Sequence, residues 1–166
     1  LGLGFRILPE DVVVGLYKKR FIPENYISLE SVRMSIYKSI ASAALDKELN
    51  DILYNLINRF GPVPGPLANL IKEARLRLVA SRAGVCSLVR RPCGVVCTVE
   101  NQGGNCSVSS LLEYAEIFFK EKGVEYHIVP AKAAVLSICI HLEKNEDSYS
   151  IFSPFFGKFD ALVKVN

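Results

Sequence analysis

The hydrophobic pattern of the chain changes period once, near Gly84. Ahead of that point apolar positions recur at helical spacing. Leu29, Val32, Ile36, Tyr37 and Ile40 fall on one face, which predicts a helix over about 29–44, with Ser28 as its cap and Glu30 near the positive end of its dipole. Asp46 offers a second cap. Leu49, Ile52, Leu53, Leu56, Ile57 and Phe60 then make the i, i+3, i+4, i+7 stripe of an amphipathic helix that stops at Gly61-Pro62. Pro62, Pro64 and Pro66 stiffen the connection to a third helix, defined by Leu67, Leu70, Ile71, Ala74, Leu78 and the stop at Gly84.

Beyond Gly84 the period shortens to runs rich in β-branched residues, which predict strands at 85–89, 94–99, 124–129 and 134–142. The turn signal Gln102-Gly103-Gly104-Asn105 precedes a helix over about 109–122 with Leu111, Leu112, Ala115, Phe118 and Phe119 on its apolar face. Ser153-Pro154 is placed to cap a last helix carrying Phe155, Phe156, Phe159 and Leu162. The predicted fold class is α+β: an N-terminal three-helix subdomain followed by a small sheet of about four short strands with one or two packing helices. Residues 1–27, with Val12-Val13-Val14 and Phe21-Ile22-Pro23, read as a partly extended lead-in. Residues 28–166 read as a single domain, helical over 28–84 and α+β over 85–166.

Composition narrows the function. At 166 residues with half of them hydrophobic, the chain supports one well-packed domain and is not a disordered segment. Its longest apolar stretches fall short of the ~20 residues of a membrane span. No G-x-x-x-x-G-K-[ST] loop is present to hold a nucleotide phosphate, so ATP hydrolysis by this chain is not expected. The sequence starts at Leu1 without the features of a secretion signal, which suggests a piece of a longer, cytoplasmic protein. Charge is unevenly spread. Up to Arg91 there are nine Arg and five Lys against eight acidic residues, a net of +6, and from Pro92 onward six Lys face nine acids, a net of −3. A stand-alone nucleic-acid-binding module built on Lys18, Lys19, Arg20, Arg75, Arg77, Arg82, Arg90 and Arg91 is the alternative function. The dispersal of these charges along helices favours a solvated surface instead.

Candidate chemistry is sparse. All five cysteines, Cys86, Cys93, Cys97, Cys106 and Cys139, lie in the second half, and their odd number without a secretion signal suggests reduced thiols. Their spacing does not supply the paired knuckles of a structural zinc site. Asn105-Cys106-Ser107 matches a glycosylation sequon by coincidence. Cys139 and His141, two apart on a strand, would share a face, but no third group orients them for nucleophilic catalysis. His127 reads as a strand-edge or satisfied core residue. Gly2-x-Gly4 has no preceding strand and is no dinucleotide turn. No cofactor, metal or catalytic residue is expected.

One set of motifs is more specific. Phe21-Ile22-Pro23-Glu24-Asn25-Tyr26-Ile27, Arg33-Met34-Ser35-Ile36-Tyr37-Lys38-Ser39-Ile40-Ala41, Leu56-Ile57-Asn58-Arg59-Phe60-Gly61-Pro62-Val63-Pro64, Asn69-Leu70-Ile71 and Ala74-Arg75-Leu76-Arg77 occur in the order and spacing of the C-terminal domain of bacterial transcription-repair coupling factor, which residues 20–90 resemble. The resemblance implies a regulatory, autoinhibitory module without catalysis of its own. In that family the parent is an ATP-dependent DNA translocase that removes stalled RNA polymerase from DNA and recruits the UvrA-type repair protein. The module is expected to dock on the UvrB-like N-terminal module, next to the motor domains of the same polypeptide, and to mask the UvrA-binding surface.

One departure touches mechanism. Family members commonly carry E-L-x-D-R-F-G at the end of the second helix, whose two carboxylates, three apart, would share a face where they could meet basic residues of the docking partner. Here Asn55 and Asn58 stand in their places. Charge-assisted bonds become neutral ones, roughly half as strong, which implies a weaker clamp or one built on other residues. Arg59, in the same motif, is placed to cap the helix C-terminus or to reach a carboxylate, and the stop at Gly61 favours the cap. Asn55, Asn58 and Arg59 are therefore the candidate interdomain interface.

Overall fold

The structure is a computed structural model describing residues 7–100, 108–129, 135–143 and 146–165. A short 3-10 turn at Pro9–Asp11 leads into β1 (Val13–Gly15), α1 (Glu30–Ser42), α2 (Asp46–Phe60) and α3 (Gly65–Arg82). The second half follows as β2 (Val85–Arg91), β3 (Gly94–Glu100), α4 (Val108–Lys122), β4 (Tyr126–Val129), β5 (Val135–Ile140) and α5 (Ser148–Val165). The fold is α+β as the sequence predicts. Its sheet has five strands in the order β1-β2-β3-β5-β4, the extra strand coming from the lead-in, where β1 pairs parallel to β2. The predicted turn at 102–105, the sequon with Cys106, Gly2 and Gly4 lie outside the described residues.

Two cores hold the chain, and α3 serves both. Ile71, Ala74 and Leu78 pack with Ile22, Ile27, Ile40, Leu49, Leu56 and Leu67 in a helical core. Leu76 and Ala80 face the other way, into a sheet core with Val85, Leu88, Val95, Ile138 and the aromatic group Phe118, Phe119, Phe152, Phe155, Phe156 and Phe159. Each fully buried Phe or Leu contributes about 1.5–3 kcal/mol, so the helix between the cores couples their stabilities.

Three helix starts differ from expectation. Helix α1 begins at Glu30 with Leu29 as N-cap and no side-chain cap bond, and Arg33 in its first turn donates back to the Ile27 and Ser28 carbonyls at 2.8 and 2.9 Å. Asp46 is the first residue of α2 and not its cap. The Glu48 carboxylate accepts from the Ala44 and Leu45 amides at 2.6 and 3.0 Å, and Asp46 pairs instead with Arg75. Helix α5 starts at Ser148, a turn and a half before Ser153, because Asp147 satisfies its first turn: its carboxylate accepts from Tyr149 N–H and its carbonyl from Ser150 N–H. Pro154 thus lies inside the helix.

Gly94 fixes the sheet geometry. Its φ is 139°, and a Cβ there would stand 2.2 Å from the Ile140 carbonyl oxygen. Only glycine lets the start of β3 press so closely on the end of β5.

Candidate interdomain interface

The buried side of α2 presents Leu49 and Leu56 to the helical core, with Ile52, Leu53 and Phe60 partly buried beside them. Asn55 and Asn58, three apart, lie on the opposite, exposed side. Among the described residues neither amide has a hydrogen-bond partner. Tyr54, 68% exposed, stands four residues before Asn58, and Ile57, 50% exposed, stands three after Tyr54. Together the four make a polar and apolar surface patch on one helix. The apolar stripe predicts Ile57 as a core residue, but it follows Leu56 around the helix by about 100° and falls on the margin of the stripe, where α1 and α3 do not cover it.

Arg59 departs from its expected role. Its guanidinium lies over the Phe60 ring, 5.0 Å from the centroid, and makes no bond to the last carbonyls of α2. Those carbonyls are served otherwise. Gly61, at φ 86°, donates its N–H to Ile57 O at 2.9 Å, and the Tyr26 hydroxyl donates to Gly61 O at 2.9 Å and Leu56 O at 3.3 Å. Burial raises the Tyr26 hydroxyl pKa, so the proton it donates stays in place.

Several other motif residues serve the fold. Tyr37 accepts the Ile22 amide at 2.7 Å, Asn69 donates to Lys19 O at 2.9 Å, and Arg75 holds Asp46 and Asn50. The conspicuous strings around Tyr26, Tyr37, Asn69 and Arg75 therefore specify the helical core and its joints. Asn55 and Asn58 are left available to something outside.

The basic residues of the nucleic-acid alternative do not form a free patch. Arg20 is bound to the buried Glu73 at 2.9 Å, Arg82 to Asp160 at 3.7 Å, and Arg90 to Leu16 O and Ser148 Oγ at 3.3 and 2.5 Å. Arg77 is half-buried, and burial lowers its pKa against the upward pull of Glu73. Lys18 and Arg91 line a groove together with Glu125, Glu143 and Glu146, so its field is mixed.

The thiols and imidazoles sort into separate pairs. Cys139 meets Cys93, and His141, just past the end of β5, meets His127, with Nδ1 of one ring 2.7 Å from Nε2 of the other. Cys139 and His141 make no thiolate–imidazole contact. Among the described residues no three His, Cys, Asp or Glu side chains are grouped to hold a metal ion. Cys97 is buried in the sheet core, and burial, aided by Cys86, pushes its thiol up to about 12. No helix among the described residues is long and apolar enough to cross a membrane.

What stands is an α+β domain with two cores joined by one helix and an unspent polar patch on a second helix. The family model of the TRCF domain matches residues 16–110, more than half of the sequence, and the chain belongs to that family. Among curated relatives, the transcription-repair-coupling factor of Escherichia coli (strain K12) is 40% identical over 76 residues, covering 46% of this chain and 7% of that protein. Those of Buchnera aphidicola and Mycobacterium tuberculosis are 33% and 32% identical over 78 and 77 residues, covering 47% and 46% of this chain and 10% and 6% of those proteins. The chain thus spans a tenth or less of the length of these relatives. A crystal structure of the C-terminal domain of transcription-repair coupling factor superposes with a TM-score of 0.75 at 16% identity, covering 93% of this chain and 94% of that one. That likeness carries the fold across the second half, where the sequence motifs end.

Proposed function

We propose that the chain is the regulatory C-terminal domain of a transcription-coupled DNA repair translocase, acting by docking and not by catalysis. In this reading it folds back on the UvrB-like N-terminal module and the motor domains of its own polypeptide. There it masks the surface that a UvrA-type protein uses until RNA polymerase on damaged DNA is engaged. The carrying observation is the contrast along α2: Leu49, Leu56 and Phe60 face the helical core, while Asn55 and Asn58 are exposed and without a hydrogen-bond partner among the described residues, next to exposed Tyr54 and Ile57. A clamp of this kind needs only about 1–3 kcal/mol of coupling, a factor of about 5 to 150. Neutral amides suit such a reversible contact, because they lose no charge solvation when buried and can both donate and accept.

The test is a competition. The chain is added to the parent's UvrB-like module loaded with the UvrA-type protein, and the bound fraction is followed by size-exclusion chromatography. Displacement at micromolar chain supports masking, and a stable ternary complex overturns it. A gel shift with duplex and single-stranded DNA at low and physiological salt addresses the alternative, for which steeply salt-dependent binding is the required result.

A further inference from the structure

Cys93 occupies the two-residue turn between β2 and β3 with Pro92, and Cys139 is the penultimate residue of β5. The missing Cβ of Gly94 brings the turn down onto β5, where Val95 pairs with Ile140 and Val96 with Cys139. The two Sγ atoms consequently lie 2.6 Å apart, with the Cys139 thiol donating toward Cys93. A disulfide bond is about 2.05 Å long, so a small side-chain adjustment separates the thiol pair from a bonded one.

We propose that Cys93 and Cys139 form a reversible disulfide when the protein meets a hydroperoxide, making this corner of the sheet an oxidant-responsive modification site. The two sulfurs have different access. Cys93 is exposed and lines the groove beside Arg91 and His141, whereas Cys139 is buried. Burial, with the adjoining Cys93, pushes the Cys139 thiol up to about 12, so Cys139 keeps its proton and Cys93 is the sulfur that an oxidant reaches.

The chemistry balances in two steps. The Cys93 sulfur attacks one oxygen of hydrogen peroxide, the O–O bond breaks, and the departing oxygen leaves as water with the thiol proton, giving a sulfenic acid. The Cys139 sulfur then attacks the sulfenic sulfur. The S–S bond forms, the S–O bond breaks, and the leaving hydroxide takes the Cys139 proton as a second water. Two thiols lose two electrons and one peroxide gains them. The neighbouring thiols are held apart from this path, Cys86 bonded to the Thr98 carbonyl at 3.3 Å and Cys97 inside the sheet core.

The experiment exposes the folded chain to stoichiometric hydrogen peroxide, blocks remaining thiols with an alkylating reagent under denaturing conditions, and maps the peptides by mass spectrometry. The expected product is a Cys93–Cys139 linked pair, lighter by two hydrogen atoms, with Cys86, Cys97 and Cys106 alkylated, and dithiothreitol restores the free thiols. In Cys93→Ser, a change at an exposed turn, the link is absent and Cys139 stays reduced. Overoxidation of Cys93 with Cys139 still alkylatable, or a link from either residue to another cysteine, overturns the proposal.

Discussion

The Tyr26 hydroxyl donates to the Gly61 carbonyl at 2.9 Å, tying the lead-in to the end of α2 across 35 residues of sequence. The same hydroxyl also touches Leu56 O, and the ring lies 5.8 Å from Phe60. Tyr26→Phe keeps the ring contact and removes the donor. It leaves a half-buried helix end short of one partner, and the expected loss is about 1 kcal/mol of stability by urea unfolding. An unchanged midpoint would show that water replaces the hydroxyl.

Glu73 joins α3 to the segment that follows β1. It is 5% exposed, and its carboxylate accepts from the Leu16 and Tyr17 amides at 2.8 and 3.0 Å and from Arg20 at 2.9 Å. Glu73→Ala strands two amides and a guanidinium, which predicts a loss of about 3–5 kcal/mol, measured by chemical denaturation. Adding Arg20→Ala should cost far less in the Glu73→Ala background than in the native chain, since the pair acts as a unit.

Much of this was legible in the sequence, for reasons that differ by element. Helix α2 was clear because Leu49, Ile52, Leu53, Leu56 and Phe60 share one buried side and Gly61 ends it. Helix α3 was seen as one stripe although Leu76 and Ala80 form a second, because a helix between two cores has no polar side to mark its period. The early start of α5 was hidden because its cap, Asp147, takes its other partners, Tyr17 and Lys72, from distant segments. Strand β1 is three residues long and pairs with β2 across some seventy residues, so the alternation of Val12 to Val14 alone could not reveal its neighbour. The family motif drew attention to Asn55 and Asn58, which the structure leaves exposed, but did not reveal that Tyr26 serves the Leu56 and Gly61 carbonyls in place of Arg59.

Close approach at Gly94 gives a sharp expectation. Gly94→Ala sets a methyl carbon 2.2 Å from the Ile140 carbonyl oxygen at a φ of 139°, so either β3 or β5 must move. Such a shift breaks ladder bonds and the packing of Val95, which is fully buried. A loss of more than about 3 kcal/mol is expected, readable as a melting temperature lower by roughly 10 °C. Gly61→Ala, in open space but at φ 86° and ψ −162°, a region that essentially only glycine occupies, should cost about 1–3 kcal/mol.

Acid stability should depend on Asp147. Burial works to raise its carboxyl pKa, but bonds from Tyr17 and Lys72, the Lys72 charge and the Tyr149 amide outweigh burial and hold it below the usual carboxylate range. Lys72 itself sits 5.8 Å from the centroids of both the Tyr17 and Tyr149 rings. A depressed folded-state value means that the unfolded chain binds the proton first. The contribution is therefore complete above the unfolded value near pH 4 and is lost as pH falls through the folded one. In Asp147→Asn the melting temperature should be lower at pH 7 and should fall less steeply between about pH 5 and pH 3. Parallel acid limbs for the two proteins would show that Asp147 is not the group responsible.

The docking patch makes the prediction that separates fold from function. Asn55 and Asn58 are exposed and have no side-chain hydrogen-bond partner among the described residues, so changing them should leave the stability within about 0.5 kcal/mol of the native value. If the partner surface is basic, as the resemblance implies, Asn55→Glu with Asn58→Asp replaces neutral bonds by charge-assisted ones. Affinity for the UvrB-like module should then rise about tenfold, the equivalent of about 1.4 kcal/mol. Lysine at both positions should weaken it by at least as much, since like charges repel and the amide acceptors are lost. Because the gain is electrostatic, it should shrink as salt is raised from low to physiological concentration, whereas any contribution from Tyr54 and Ile57 should persist. Titration calorimetry of the three proteins at two salt concentrations measures all of this. Equal affinities for the native, acidic and basic versions would place the docking face elsewhere than α2.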